Sequence, residues 1–284
     1  MTGASALAPA ATSLPRIAAV RYVTPLREGG SLPAIVEADD QGLYVLKFRG
    51  AGQGPKALIA ELVAGEIARA LGLAVPEIVF VTLDPDLART EPDPEIQHLI
   101  RASAGINLAL DYLPGSVTFD PLVEHPDSDL ASRADLASRI VWFDAYVSNV
   151  DRTPRNTNML VWHRQLRLID HGAALYFHHG WDRYLERSRE PFARIADHVL
   201  LPAAAAIAAV DADMAGRLSA AMLADIVALI PDAWLDRGAP FASVVEQREA
   251  YLAYLTRRLE APRAFVATAI EAREALQEGV RHAR

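Results

Sequence analysis

Asn149-Val150-Asp151-Arg152-Thr153-Pro154-Arg155-Asn156-Thr157-Asn158 and, further on, Leu168-Ile169-Asp170-His171-Gly172 are the two stretches on which the fold turns. The first follows Leu136 to Val147, where Ile140, Phe143 and Val147 recur on one side of a helix. Met159 to Trp162 and Leu166 to Ile169 then read as two short strands around His163-Arg164-Gln165. Asp151 and Asn156 thus enter a hairpin, and Asp170 leaves it, with Gly172 letting the backbone turn. Asp151 offers a base for a hydroxyl proton, and the Asn156 carbonyl oxygen is a hard ligand of the kind Mg²⁺ takes. Alone, that loop reads equally well as an Asx-rich turn capping the helix. With Asp170 added, the hairpin predicts a three-oxygen Mg²⁺ cradle.

Upstream, Ile17–Val23, Leu32–Ala38 and Leu43–Phe48 alternate as strands of an antiparallel meander, separated by Arg27–Ser31 and Asp39–Gly42. A glycine-rich loop from Gly50 to Pro55 precedes a helix over residues 56–71, which Gly72 stops. Residues 76–83 and 105–113 return as strands, with a polar, proline-rich excursion over residues 84–94. Lys47, between Leu46 and Phe48, is unusual on an otherwise buried face; it reads as an edge-strand charge or, given Asp170 downstream, as a site lysine with a helical carboxylate for partner. Glu61 and Glu66 are the candidates for that carboxylate. Five apart, they cannot point the same way, and the apolar neighbours of Glu61 favour it. Gly29, Gly30 and Ser31, and the loop from Gly50 to Gly54, could cover phosphates with backbone N–H groups; two flexible loops fit as well. Neither carries the Gly-Lys-Ser/Thr of a P-loop. Asp111 and Tyr112, at the end of the last strand before Pro114-Gly115, are placed to offer backbone groups to adenine.

Beyond Pro114 the chain turns helical and, from about Pro191, Ala-rich, with breaks near Pro231 and Pro240. The expected architecture is α+β with two lobes: a disordered tail over 1–15, a strand-rich lobe over 16–113, and a mainly helical lobe over 114–284. A ligand would favour the crevice between the lobes. A net charge of −8 argues against direct nucleic-acid binding. No segment reads as a membrane span, and the absence of cysteine excludes disulfides and thiolate chemistry and fits a cytoplasmic protein. His171, His178 and His179 lack partners at zinc-ligand spacing and read as surface or supporting histidines. Trp142, Trp162, Trp181 and Trp234 read as core.

The Asn149-to-Asn158 motif, the Ile169-Asp170-His171-Gly172 strand end, and Lys47 ahead of the Glu61 helix resemble the HipA-like kinases, in particular the stand-alone kinase-domain proteins of bacteria. The resemblance covers residues 16–200 and is most specific over 149–172. It implies a bilobal protein-kinase-like fold and the use of ATP and Mg²⁺. It implies Asp151 as catalytic base, Asn156 and Asp170 as metal ligands, and Lys47, paired with Glu61, on the phosphates. The amino-terminal subdomain of full-length HipA toxins is not expected here, and His171 stands where kinases carry a phenylalanine. The acceptor is expected to be a Ser/Thr hydroxyl of a protein, with a small-molecule or lipid hydroxyl as the alternative. A nucleotide-binding pseudokinase or partner-binding module is the reading from a different class. A structural domain with a fortuitous Asp/Asn turn predicts that Lys47, Asp151, Asn156 and Asp170 do not converge.

Overall fold

The computed structural model describes residues 13–26, 32–52, 54–121, 130–235 and 240–282. Strands β1 (Arg16–Pro25), β2 (Ala34–Ala38) and β3 (Leu43–Lys47) form the antiparallel meander. β3 also pairs with β5 (Gly105–Asp111), and β5 with β4 (Ile78–Leu83), both antiparallel. A short parallel pairing of Arg16–Ala18 with Phe80–Thr82 closes the five strands into a barrel. Small Ala19, Ala34, Ala38 and Ala109 let the barrel tighten around Val36, Leu46, Val79 and Val81. Helix α2 (Pro94–Ala102) packs Ile96, Leu99 and Ile100 into the same cluster, and Asp93 caps its N-terminus by accepting from the Glu95 N–H. The sequence reading had no helix there. Its four apolar positions in nine residues sit behind a Pro-rich stretch that reads as loop.

Helix α1 (Pro55–Ala70) is buried on nearly all sides. It packs between the sheet and the carboxy-terminal helices α6 (Ala220–Ala228) and the turn Asp232–Trp234. Gly65 permits this closeness, since a Cβ there would lie 2.5 Å from Ile78 Cδ1. The helix ends as a glycine stop should. Gly72 is left-handed at φ +80°, and the N–H groups of Gly72 and Leu73 return to the carbonyls of Arg69 and Ala68.

The larger core runs from α1 and the outer faces of β4 and β5 into the helical part. There α3 (Leu130–Val147) lies against α5 (Ile207–Gly216), α7 (Val244–Leu259) and α8 (Ala264–His282). Trp234 bridges the two parts, edge-on to Phe80 at 5.6 Å and donating to the Ile106 carbonyl at 3.0 Å. Trp142, Trp181 and Trp234 are core residues, but Trp162 is only half-buried and donates to the Pro114 carbonyl. A three-stranded sheet of β6 (Val117–Thr118), β7 (Met159–Trp162) and β8 (Gln165–Leu168) carries the second motif. Among the described residues no helix is long and apolar enough to cross a membrane.

Candidate active site

Strand alternation sets the first half of the site. Leu46 points into the barrel, so Lys47 points out of it, towards α1. Its Nζ lies 3.1 Å from Glu61 Oε2 and 2.5 Å from Asp170 Oδ1. Of the two candidate carboxylates, Glu61 meets the lysine, while Glu66 pairs with Arg69 one turn along. Burial alone would depress the Lys47 pKa, but the Glu61 and Asp170 carboxylates outweigh it and hold the ammonium above its ordinary value. Burial works on Glu61 in the opposite sense and is likewise outweighed, by Lys47 and by His171, so the carboxyl sits well below the usual range. His171 Nδ1 lies 3.2 Å from Glu61 Oε1 and must donate to it. The imidazole is fully buried, edge-on to Phe143. His171 and His178 are therefore interior groups, not surface ones; of the three histidines only His179 is exposed.

The second half is built at the end of α3. Ser148 takes a left-handed φ of 56°, which turns the chain back, and the Asn149 N–H returns to the Asp144 carbonyl. The Asn149 side chain accepts from the Asp151 N–H at 3.1 Å, an Asx turn that aims Asp151 outward. Pro154-Arg155 forms a tight reversal, with Thr153 and Asn156 exchanging backbone hydrogen bonds. This places Asn156 Nδ2 2.9 Å from Asp151 Oδ2. An amide donating through nitrogen keeps its carbonyl oxygen free for a cation. Asn158 Nδ2 also reaches Asp151, at 3.4 Å from Oδ2. The two halves meet where the Ile169 N–H donates to the Asn158 carbonyl at 3.0 Å, one residue before Asp170. Asp170 itself is left-handed at φ 54°.

Behind the loop stands a group that the sequence reading missed. Asp144 in α3 is fully buried and accepts from Asn149 Nδ2 at 2.8 Å, Arg152 Nε at 2.6 Å and His198 Nε2 at 2.9 Å. Arg152 also donates to the Asn158 carbonyl. His198 Nδ1 accepts the Leu200 N–H, which fixes the proton on Nε2 and makes that nitrogen the donor to Asp144. Burial raises the Asp144 pKa, but Arg152 and His198 outweigh it and bring the carboxyl well below the usual range. The signal available in the sequence was an Asp within an otherwise apolar helix and an Arg beside Asp151.

The remaining expectations concern backbone groups. Gly29, Gly30 and Ser31 lie outside the described residues. The Gly50–Gly54 loop has largely consumed its own donors: Gly50 on Ser103 Oγ, Ala51 on the Phe48 carbonyl, and Gly54 on the Ala51 carbonyl. The N–H groups of Asp111 and Tyr112 are likewise occupied, by the carbonyls of Glu77 and Leu43. Sheet pairing at the strand end takes them, so these two residues can present only carbonyl oxygens. Among the described residues no three His, Asp or Glu side chains stand together as a metal site. The Asp170 carboxylate and the Asn156 side-chain carbonyl are hard oxygen donors of the type that Mg²⁺ takes one or two at a time from a protein.

A profile described as HipA-like kinase matches residues 19–262. The chain belongs to the HipA-like kinase family. A search of the curated proteins finds no match. Among solved structures, this HipA-like chain is similar to a Helicobacter pylori proinflammatory kinase, CtkA, at 14% identity and a TM-score of 0.52, covering 92% of this chain and 99% of that one. A Golgi casein kinase with Mn/ADP bound aligns at 12% identity and a TM-score of 0.49, over 93% of this chain and 74% of that one. At such identities the CtkA likeness speaks for a kinase-like fold and nothing finer.

Proposed function

We propose that this HipA-like kinase transfers the γ-phosphoryl group of ATP, with Mg²⁺, to a Ser/Thr hydroxyl of a protein in the cytoplasm. The observation that carries the reading is the junction of Lys47, Glu61 and Asp170 on one side with Asp151 and Asn156 on the other, joined through the Ile169–Asn158 backbone bond. Lys47 would leave Asp170 to hold the α- and β-phosphates, while Glu61, itself fixed by His171, keeps the ammonium in place. Asp170 and the Asn156 carbonyl oxygen would hold the Mg²⁺, whose charge offsets that developing on the phosphates. Asp151 accepts the hydroxyl proton. The acceptor oxygen forms the new bond to phosphorus as the bond from phosphorus to the β–γ bridging oxygen breaks, and ADP departs with that electron pair. The Leu113 N–H, which makes no hydrogen bond among the described residues, is the donor available to adenine next to the Asp111 and Tyr112 carbonyls.

The test is transfer from Mg²⁺-ATP by the wild-type chain and by Asp151→Asn. Transfer is expected to fall by about 10²–10⁴-fold in the variant, with Mg²⁺-ATP still raising the melting temperature of both. Wild-type transfer in Asp151→Asn removes the assignment of the base. Stabilisation by nucleotide with no transfer in either protein would favour the nucleotide-binding module, a reading supported by the occupied N–H groups of the Gly50–Gly54 loop.

A further inference from the structure

Next to the loop that carries Asp151 lies a groove of about 460 Å³, lined by Val150, Tyr176, Arg187, Glu190, Arg194 and Arg258. Val150 immediately precedes the candidate base in the chain. Its charge is one-sided, and the reason lies in Arg258. This residue of α7 is buried, with 3% of its surface exposed. Its guanidinium donates to four backbone carbonyls: Ala145 and Tyr146 at the end of α3, and Ser188 and Glu190 across the groove. Among the described residues no carboxylate pairs with it. Carbonyls satisfy its N–H groups but leave its full positive charge, which burial penalises and to which the Glu190 carboxylate contributes only at a distance. On the rim, Arg187 donates to the Gly180 carbonyl and again lacks a carboxylate partner. Arg194 meets only Asp197, at 3.4 Å, with both side chains more than half exposed, a pairing an incoming ligand can replace.

We propose that this groove docks the acceptor as an extended polypeptide segment carrying acidic side chains beside the hydroxyl that receives the phosphate. The inference rests on the kinase reading for the word acceptor, and on the groove alone for the chemistry of what binds. Three guanidiniums face one lining carboxylate, Glu190, so an anionic ligand is complementary and a basic one is repelled. A volume of this size suits a few side chains of a peptide. Beside these charges the lining carries Val150, Phe177, Pro191, Phe192, Ala193 and Tyr254, apolar walls for the aliphatic stems of peptide side chains. Behind Tyr176, the Phe177 ring is stacked on Tyr254 at 3.5 Å, giving the groove a flat aromatic wall against which a peptide backbone can lie.

Three fluorescent serine peptides of one length, flanked by Glu, Ala or Lys, test this by anisotropy on the full chain, with phosphate transfer to each measured in parallel. The Glu-flanked peptide is expected to bind about tenfold more tightly than the Ala-flanked one, the Lys-flanked one most weakly, and the difference to shrink in high salt. Arg194→Glu is expected to narrow the order, and Arg187→Glu with Arg194→Glu to invert it. Arg89→Glu, at an exposed position away from the groove, is expected to leave it intact. Equal binding of the Glu and Ala peptides, or an unchanged order in the double variant, overturns the proposal. So does transfer to vesicles containing phosphatidylinositol but to no peptide. Charge-selective binding without transfer would sink the kinase reading and leave the docking chemistry standing. Transfer without charge-selective binding would do the reverse.

Discussion

Two buried carboxylates, Glu61 and Asp144, anchor the two halves of the site, and each is held by one cation and one histidine. Around Glu61 stand Lys47 and His171; around Asp144 stand Arg152 and His198. The differences between them matter more than the likeness. Lys47 is 12% exposed, touches Glu61 at one point, and shares its ammonium with Asp170, which is 43% exposed. Arg152 and Asp144 are wholly buried, and the guanidinium lies along both carboxylate oxygens, at 2.6 and 3.4 Å. The lysine is a point charge on a flexible stem that can change partners. The arginine is a planar fork committed to Asp144 and to the backbone of the catalytic loop. One cluster is partly open to solvent and shares its cation between two acids; the other is sealed and tied to a loop backbone.

The sharpest way to break this contrast is to remove the two acids that differ most in burial. Asp144→Ala strands a buried guanidinium and is expected to cost about 3–5 kcal/mol of stability, read from denaturant unfolding. Asp170→Ala is expected to lower phosphoryl transfer by about 10²–10³-fold, as for loss of one group that stabilises transition-state charge, with little change in unfolding midpoint. If Asp170→Ala unfolded the protein and Asp144→Ala did not, the roles would be reversed. Arg152→Lys retains the charge but cannot span both carboxylate oxygens and the Asn158 carbonyl. A loss of about 1–3 kcal/mol is expected, together with a fall in transfer, since Asn158 sits between the two halves.

The smallest effect is on pH. Both carboxyls lie below their ordinary range, so the stability each contributes is present above about pH 4 and is lost as pH falls through the lowered folded-state values. Glu61→Gln and Asp144→Asn should each flatten that acid limb. The Lys47 pKa is raised, so its contribution is complete below about pH 10.4 and is lost as pH rises through the higher folded-state value. An alkaline limb should therefore weaken in Lys47→Met. The Asp144 cluster should show none, because a guanidinium keeps its proton there.

The exchangeable cluster was legible in the sequence and the fixed one was not. Lys47 stood out because a charge among Tyr44, Val45, Leu46 and Phe48 is conspicuous. Glu61 was favoured over Glu66 by its neighbours, although both are buried and only the register of α1 against β3 distinguishes their partners. The loop with Asp151 and Asn156 was readable from spacing because its partners are close along the chain. His198 and Arg258 act across long separations with nothing local to mark them, while Asp144 left only a faint signal, an Asp among the apolar residues of α3. Helix α2 escaped because its burial comes from filling the barrel, a tertiary fact. Which backbone donors of Asp111, Tyr112 and the Gly50–Gly54 loop stay free was out of reach for the same reason: sequence shows that an N–H exists but not which carbonyl has already taken it.

Arg258 also sets an order in time. During synthesis, at about 5–20 residues per second, the strands, α1 and the Asp151 loop emerge before α7. The carbonyls of Ala145, Tyr146, Ser188 and Glu190 share a donor side chain that arrives long after the Asp151 loop has been made. A nascent chain stalled before α7 therefore carries Lys47, Asp151 and Asp170 without the clamp that fixes the groove beside them. These carbonyls thus gain their shared donor only after almost all of the matched region has been made.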